Sequence, residues 1–204
     1  MPNVAVPVAR IQRWVDNFAA RHGETRLAVD SGVLTGAAAD GSSFIAALPF
    51  EKAYVGPAEV EAFIAASAAP SDWGLLLVRK GGFAIARMSG GEIADHKIGR
   101  RHVQGKTKAG GWSQQRFARR RANQASAAYE AAAEHAARIL EGLTGPLVTG
   151  GDHGGIADVL EDRRLRPLHV TGPWLPVQDP NRAVLDQAVE DAQKVRIEVV
   201  NADS

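Results

Sequence analysis

The apolar run from Leu75 to Val78 limits the possible folds more than any other stretch of the chain. A continuous apolar run, rather than an alternating one, is typical of a strand buried on both faces. Gly81-Gly82 follows it, and Ser89-Gly90-Gly91 follows a second stretch from Phe83 to Met88, so both glycine pairs predict tight turns. With a third strand from Glu92 towards Val103, the sequence predicts an antiparallel meander.

A long helix is predicted after the meander. Its apolar positions alternate spacings of four and three, and most of them are alanine: Ala118, Ala122, Ala125, Tyr129, Ala132, Ala136, Ile139 and Leu143. We expect such a small-residue face to pack close to the sheet. The remaining predicted elements are a strand at Pro146 to Thr149, a helix at Ile156 to Glu161, a short strand at Leu168 to Val170, a helical segment at Asn181 to Gln193 and a strand at Val195 to Val200.

Three antiparallel strands followed by helix, strand, helix and strand is the order of a ribonuclease-H-like α/β domain, a mixed sheet with flanking helices. We assign this main domain to residues 71–204, because Pro70-Ser71-Asp72 is typical of a boundary. Residues 1–70 are predicted to form an N-terminal α/β extension packed on it. The extension has a helix whose stripe includes Ile11 and Phe18, β-like segments between Arg26 and Phe50, and a second helix that starts at Gly56-Pro57.

Composition narrows the cellular setting. The chain has no cysteine, which excludes disulfides and thiolate zinc sites and fits a reducing compartment. It contains neither an export segment nor about 18 uninterrupted apolar residues. We therefore expect a soluble cytoplasmic protein that makes no membrane contact. We also expect it to be a monomer.

Charge is distributed unevenly along the chain. No Asp or Glu occurs between His96 and Tyr129, whereas nine of the 24 Lys and Arg residues do, which leaves 15 against 23 acids elsewhere. These cations are Lys97, Arg100, Arg101, Lys106, Lys108, Arg116, Arg119, Arg120 and Arg121. We call residues 97–121 the basic segment. An acidic body with one basic segment indicates contact with a polyanion, and here nucleic acid is favoured over a merely solvated face.

The loop from Gln104 to Gln115 has the composition of a reactive loop. Its glycines, including Gly110 and Gly111, permit backbone conformations closed to other residues, and Lys106 and Lys108 supply positive charge. Ser113 is predicted to cap the long helix, which places Gln114 and Gln115 in a first turn whose free N–H groups favour an oxyanion or phosphate.

The start of the long helix is predicted to present cations away from its alanine face. Arg116, Arg119 and Arg120 point away from that face at 100° per residue, and Arg121 lies on its flank. Guanidinium groups in this arrangement suit phosphate contacts. Trp112 either stacks on a base or packs onto the sheet as a hydrophobic staple.

The stretch from Lys108 to Arg121 resembles the catalytic loop and following helix of the eukaryotic and archaeal class-one peptide release factors. Their Gly-Gly-Gln loop precedes a helix with the same Arg-Phe-Ala-Arg sequence, found here from Arg116 to Arg119. The chain is most similar to the actinobacterial branch of the Vms-like release factors, whose preceding strand carries a Gly-Arg pair, here Gly99-Arg100.

One position departs from the release-factor pattern. With Arg-Phe-Ala-Arg in register, Trp112 stands where the release factors have their Gln, and Gln114 follows two residues later. Either the loop is remodelled to present Gln114, with Gln115 as second choice, or catalysis is lost.

The resemblance implies a peptidyl-tRNA hydrolase that works in the peptidyl-transferase centre of the large ribosomal subunit, on stalled ribosomes or isolated large subunits. A Gln would position the attacking water and a nearby backbone N–H would stabilise the oxyanion, without a metal or other cofactor. The implied catalytic residues are Gly110, Gly111, Ser113, Gln114 and Gln115. The implied RNA-binding residues are Arg100, Arg101, Lys106, Lys108, Trp112, Arg116, Arg119, Arg120 and Arg121.

Two other functions would also use features of this sequence. A metal-dependent nuclease of the ribonuclease-H type needs a carboxylate on the first central strand, and Leu75 to Arg79 has none, although Asp152 and Asp158 flank a later strand and helix. A ribosome- or RNA-binding factor without activity would use the same basic segment. The run from Gly150 to Gly155 lacks the spacing of a nucleotide loop and is predicted to be a tight turn with an inert His153.

Reversing the charge of Arg119 and Arg120 to Glu is expected to weaken ribosome binding and to flatten its dependence on salt, because fewer counterions are released from RNA. Sedimentation with ribosomes across a salt series measures both quantities. Binding that stays the same at every salt concentration would place the contact in the acidic body or the N-terminal region.

Overall fold

The computed structural model describes residues 3–100 and 127–202, and these form two compact units. The first unit is Met1–Ala69 with Val189–Ser204, and the second is Pro70–Ala188. The strands are β1 (Asn3–Val6), β2 (Thr25–Asp30), β3 (Val33–Ala38), β4 (Ser43–Ala47), β5 (Trp73–Arg79), β6 (Gly82–Ser89), β7 (Glu92–Arg100), β8 (Leu147–Gly151), β9 (Val170–Leu175) and β10 (Val195–Val200).

The helices are α1 (Ile11–His22), α2 (Val60–Ala66), α3 (residues 127–139), α4 (His153–Leu160) and α5 (Arg182–Ala192). Short 3₁₀ turns lie at Val8–Arg10 and Pro49–Glu51. Within residues 3–100 and 127–202, none of these helices combines the length and the apolar character needed to cross a bilayer.

The sheet of the second unit has the strand order β7-β6-β5-β8-β9. Strands β5, β6 and β7 pair antiparallel, while β8 runs parallel to β5 and β9 runs parallel to β8. The continuous apolar run from Leu75 to Val78 is fully buried in the central strand, as its composition predicts. The predicted meander and the ribonuclease-H-like α/β class are therefore confirmed.

Helix α3 packs on this sheet through alanine, as predicted. Ala132 and Ala136 are completely buried in a core cluster that also contains Leu76 and Ile85 of the sheet. Small side chains allow the helix backbone to come close to the strands, so the packing is tight with little apolar volume between them. The helix ends at residue 139, before the predicted last position Leu143, and Ala122 and Ala125 lie outside the described residues.

The C-terminal end of α3 is tied to the sheet by Arg87 of β6. Its guanidinium donates hydrogen bonds to the carboxylate of Asp72 at 3.0 and 3.2 Å and to the carbonyl oxygen of Glu141 at 2.6 Å. The same carboxylate accepts a 3.0 Å hydrogen bond from the backbone N–H of Thr144. Burial alone would raise the pKa of Asp72, but the hydrogen bonds from Thr144 and Arg87 outweigh it and lower the pKa.

The first unit is a five-stranded antiparallel sheet with the order β1-β10-β4-β3-β2. The predicted helical stripe of α1 is confirmed, since Ile11 and Phe18 are buried against this sheet. The ring of Phe18 meets that of Phe44 edge-on at a centroid distance of 5.0 Å. Both helices and the β-like segments expected in this part of the chain are present, but α2 begins at Val60 rather than at the predicted Gly56-Pro57.

The sequence prediction was wrong about the partners of Val195–Val200. This strand was expected to complete the main domain, but it pairs with β1 and β4 in the first unit. Alternation of apolar and polar residues identifies a strand without identifying its neighbours. Likewise, α4 begins at His153 rather than Ile156, and the strand expected at Leu168 to Val170 runs instead from Val170 to Leu175.

Replacement of Ala136 by Leu is expected to destabilise the second unit by about 1–3 kcal/mol, because the helix cannot move away from the sheet without losing other contacts. Thermal or urea unfolding measures the change. The same substitution at Ala157, an exposed position of α4, serves as the matched control and is expected to change stability by only a few tenths of a kcal/mol. Equal effects at the two positions would contradict the close packing.

Candidate functional site

Four strands of the second unit end at the same edge of their sheet. Because β7, β8 and β9 all run in the direction of β5, their last residues lie along one side, which we call the carboxyl edge. Arg79 and Arg100 both face Gly82 across the ladder, on either side of β6. Two strand spacings separate them, which corresponds to roughly 10 Å.

The basic segment leaves the sheet at the carboxyl edge. Arg100, the last residue of β7, is exposed there, and it is the one predicted site residue within the described residues. The predicted catalytic residues Gly110, Gly111, Ser113, Gln114 and Gln115 lie outside them. So do the predicted RNA-binding residues Arg101, Lys106, Lys108, Trp112, Arg116, Arg119, Arg120 and Arg121. The structure therefore places the residues on either side of the undescribed stretch. We call the end of β7, up to Arg100, the outgoing stem, and the start of the described part of α3, from residue 127, the returning stem. The placement of the residues between the two stems remains a prediction.

Glycine shapes the outgoing stem. A Cβ atom on Gly99 would overlap the ring of Phe83, and one on Gly82 would overlap the carbonyl oxygen of Gly99. Phe83 is only 6% exposed, so its ring has little room to move. A cavity of about 130 Å³ lies at this junction, with walls that include Gly82, Phe83, Gly99, Arg100, Ala128 and Ala131. Since Ala128 and Ala131 belong to α3, this cavity marks where the two stems meet.

The returning stem is held by the first described turn of α3. Ala128 is buried, and the ring of Tyr129 lies beside Gly155 of α4, where a Cβ atom would come within 3.0 Å of the ring. Burial raises the pKa of the Tyr129 hydroxyl, and the negative charges of Asp152 and Asp158 raise it further. Helix α3 is therefore fixed between the sheet and α4 at the point where it receives the basic segment.

The electrostatic character of β7 changes along its length. Asp95 lies 3.5 Å from Arg138, and His96 lies 3.3 Å from the Arg182 guanidinium, so this part of the strand is engaged with neighbouring helices. Lys97 and Arg100 follow, both exposed. Positive charge therefore increases towards the carboxyl edge, in agreement with the charge pattern of the sequence.

The metal-dependent nuclease gains no support from the carboxylates of this edge. Asp152 lies 3.2 Å from the guanidinium of Arg79 rather than beside other acids. Within residues 3–100 and 127–202, no three His, Asp or Glu side chains come together as metal ligands. A carboxylate that is paired with arginine is poorly suited to act as a ligand in a two-metal site.

Sequence reasoning missed two features of the carboxyl edge. It treated His153 as an inert turn residue, whereas the imidazole stacks on the indole of Trp174 with a centroid distance of 3.6 Å. It also did not foresee Phe83 as the ring that Gly99 accommodates. His153 and Trp174 are too far apart in sequence to leave a local pattern. By contrast, a glycine opposite an aromatic residue on adjacent strands, such as Gly99 opposite Phe83, is a recognisable signal.

A ribonuclease-H-like domain whose third strand is followed in sequence by a glycine-rich basic segment and then by α3 resembles a release-factor catalytic domain. Residues 71–198 match the family model described as Actinobacteria/chloroflexi VLRF1 release factor, and the chain belongs to that family. Comparison with curated proteins gives no match. The resemblance found in the sequence is confirmed at this level, and membership of a release-factor family implies interaction with the ribosome.

Replacement of Gly99 by Ala is expected to lower stability by about 1–3 kcal/mol, because the new methyl group overlaps the Phe83 ring. Gly91 in the β6–β7 turn has open space at its Cβ position, so Gly91→Ala is the matched control and is expected to be nearly neutral. The unfolding midpoints of the two variants measure the change in stability. Adding Phe83→Leu to Gly99→Ala is expected to recover part of the loss, and no recovery would mean that the ring is not the obstacle.

Proposed function

We propose that the protein is a peptidyl-tRNA hydrolase that releases nascent peptide from tRNA on stalled ribosomes or isolated large subunits. The observation that carries this proposal is the release-factor family match over residues 71–198, which includes the whole glycine-rich basic segment. The described residues on either side support it, because the end of β7 and the first described turn of α3 meet at the carboxyl edge of the sheet.

In the proposed reaction, water attacks the ester carbonyl that joins the peptide to the terminal ribose of tRNA. The side chain of Gln114 positions this water, with Gln115 as the alternative, and a backbone N–H of the loop stabilises the tetrahedral oxyanion. The ester bond then breaks, giving a free peptide carboxyl group and a ribose hydroxyl group. Gly110 and Gly111 give the loop its conformational freedom, and Ser113 caps the helix that follows.

The rest of the basic segment is proposed to bind RNA. Arg100, Arg101, Lys106, Lys108, Arg116, Arg119, Arg120 and Arg121 would contact phosphates of ribosomal RNA and tRNA. Trp112 would stack on a base near the peptidyl-transferase centre. We propose that the protein acts as a monomer in the cytoplasm, with the large subunit and peptidyl-tRNA as partners and without a cofactor.

A ribosome-binding factor without hydrolytic activity is the second candidate. The observation in its favour is Trp112, which occupies the position of the release-factor Gln when Arg-Phe-Ala-Arg is held in register. Such a factor would keep the basic segment for binding and would have no peptide release to lose.

Replacement of Gln114 by Ala is expected to slow peptide release about 10²-fold or more, the order of loss when one positioned catalytic group is removed. Purified protein is incubated with large subunits that carry peptidyl-tRNA, and release of labelled peptide is followed. Affinity for the subunit is expected to change little, because the phosphate contacts lie elsewhere on the segment. Circular dichroism checks that the variant is folded.

Gln115→Ala is the matched control and is expected to have a milder effect. If Gln115→Ala is the more damaging variant, Gln115 is the working glutamine and the predicted loop register is wrong by one. If both variants release peptide at the parental rate, the glutamine mechanism fails. Parental protein that binds subunits but releases nothing identifies the non-catalytic factor.

A further inference from the structure

The second unit carries a preformed pair of aromatic rings. The imidazole of His153 lies nearly flat on the indole of Trp174, with 3.6 Å between ring centroids and 11° between ring planes. Trp174 packs in turn against the hydrophobic core, whereas His153 is exposed. The stack therefore has a core-facing side formed by the half-buried indole and a more exposed side formed by the imidazole.

The backbone fixes both rings in place. His153 is the first residue of α4 and is separated from the end of β8 by Asp152 alone, while Trp174 lies within β9, which is hydrogen-bonded to β8. The register pairs Gly150 with Leu175, next to Trp174, so the end of β8 that leads into α4 lies beside the end of β9 that carries Trp174. Rings held by secondary structure lose little conformational freedom when they bind a ligand.

The immediate surroundings of the pair carry balanced charge. Arg79 lies 3.2 Å from Asp152, the residue before His153, and 4.0 Å from Asp179. Lys80 is exposed in the turn that follows Arg79. An electrically balanced aromatic surface attracts phosphate weakly, but it suits a flat ring such as a nucleobase, because every base has a face that can stack.

The pair shares the carboxyl edge with the stems of the basic segment. Across the sheet, Arg100 at the end of β7 and Leu175 at the end of β9 are separated by four strand spacings, which is roughly 20 Å. His153 therefore lies only a few nucleotide lengths from Arg100, the last described residue before the rest of the basic segment.

We propose that the His153–Trp174 pair is a second RNA-binding site, which binds an unpaired nucleobase by stacking on the exposed face of His153. The site contributes affinity without reading sequence and without contributing to the salt dependence of binding. The identity of the RNA, ribosomal RNA or tRNA, rests on the proposed function, whereas stacking itself is tested independently of it.

The test uses the full chain and a fluorescent single-stranded RNA of about 12 nucleotides, within the range of such binding sites. His153→Ala is expected to raise the dissociation constant about 5- to 150-fold, the effect of losing one base–aromatic stack. The slope of log Kd against log salt concentration is expected to stay unchanged, because no phosphate contact is lost. An RNA of the same length with abasic riboses is expected to bind both proteins equally.

Two variants make the result specific. His153→Phe keeps a flat ring on Trp174 and is expected to bind RNA as the parental protein does. His169→Ala removes another exposed histidine, which directly precedes β9 at the opposite edge of the sheet, and is expected to leave affinity unchanged. Thermal midpoints of all variants check folding.

Parental affinity in His153→Ala overturns the proposal. So does an altered salt slope, or a failure of His153→Phe to restore binding, since either result would mean that the imidazole acts through charge or a hydrogen bond. Failure of the stacking proposal can be distinguished from failure of the proposed hydrolysis. Peptide release with no effect of His153→Ala on RNA affinity rejects the stacking site alone, and lost affinity in a protein that never releases peptide rejects hydrolysis alone.

Discussion

Helix α3 lies against its sheet through alanine side chains, and the organisation of the second unit depends on this close contact. Ala132 and Ala136 occupy no more room than a methyl group each, so the helix comes near enough to share one core with β5 and β6. Arg87 then holds the far end of the helix through Asp72 and the carbonyl of Glu141. Because both ends of the described helix are fixed, the point at which the basic segment returns to the fold is fixed as well.

The central strand β5 of this ribonuclease-H-like sheet has no carboxylate of the kind that a metal-dependent nuclease needs there. The central strand β5 is apolar from Leu75 to Val78, and Asp152 at the neighbouring strand end is paired with Arg79. Chemistry is therefore proposed in the segment attached to the carboxyl edge rather than on the sheet. The sheet acts as a rigid support, which holds the stems through tight glycine contacts such as that of Gly99 with Phe83.

Prediction from sequence succeeded where a pattern is local. The glycine turns, the apolar run of β5 and the alanine stripe each leave a short-range signature, and together they give the order of the second unit. It failed where the pairing partner is distant in sequence, as for β10. It also failed where helix- or strand-breaking residues lie within an element: Gly154 and Gly155 are in the first turn of α4, and Pro173 lies within the edge strand β9. The site was predicted from motif resemblance, whereas the His153–Trp174 stack depends on a tertiary contact that no motif records.

The position of β10 bears on the order in which the chain can fold as it is synthesised. The strand lies between β1 and β4, and β1 has no other partner in its sheet. Residues 70–188, by contrast, contain every strand of the second sheet. As the chain is synthesised from its N-terminus, the second unit can therefore complete its sheet first. Strand β1 remains unpaired until Val195–Val200 has left the exit tunnel. A protein whose family acts on ribosomes thus pairs its first strand only after its own ribosome has translated Val195–Val200.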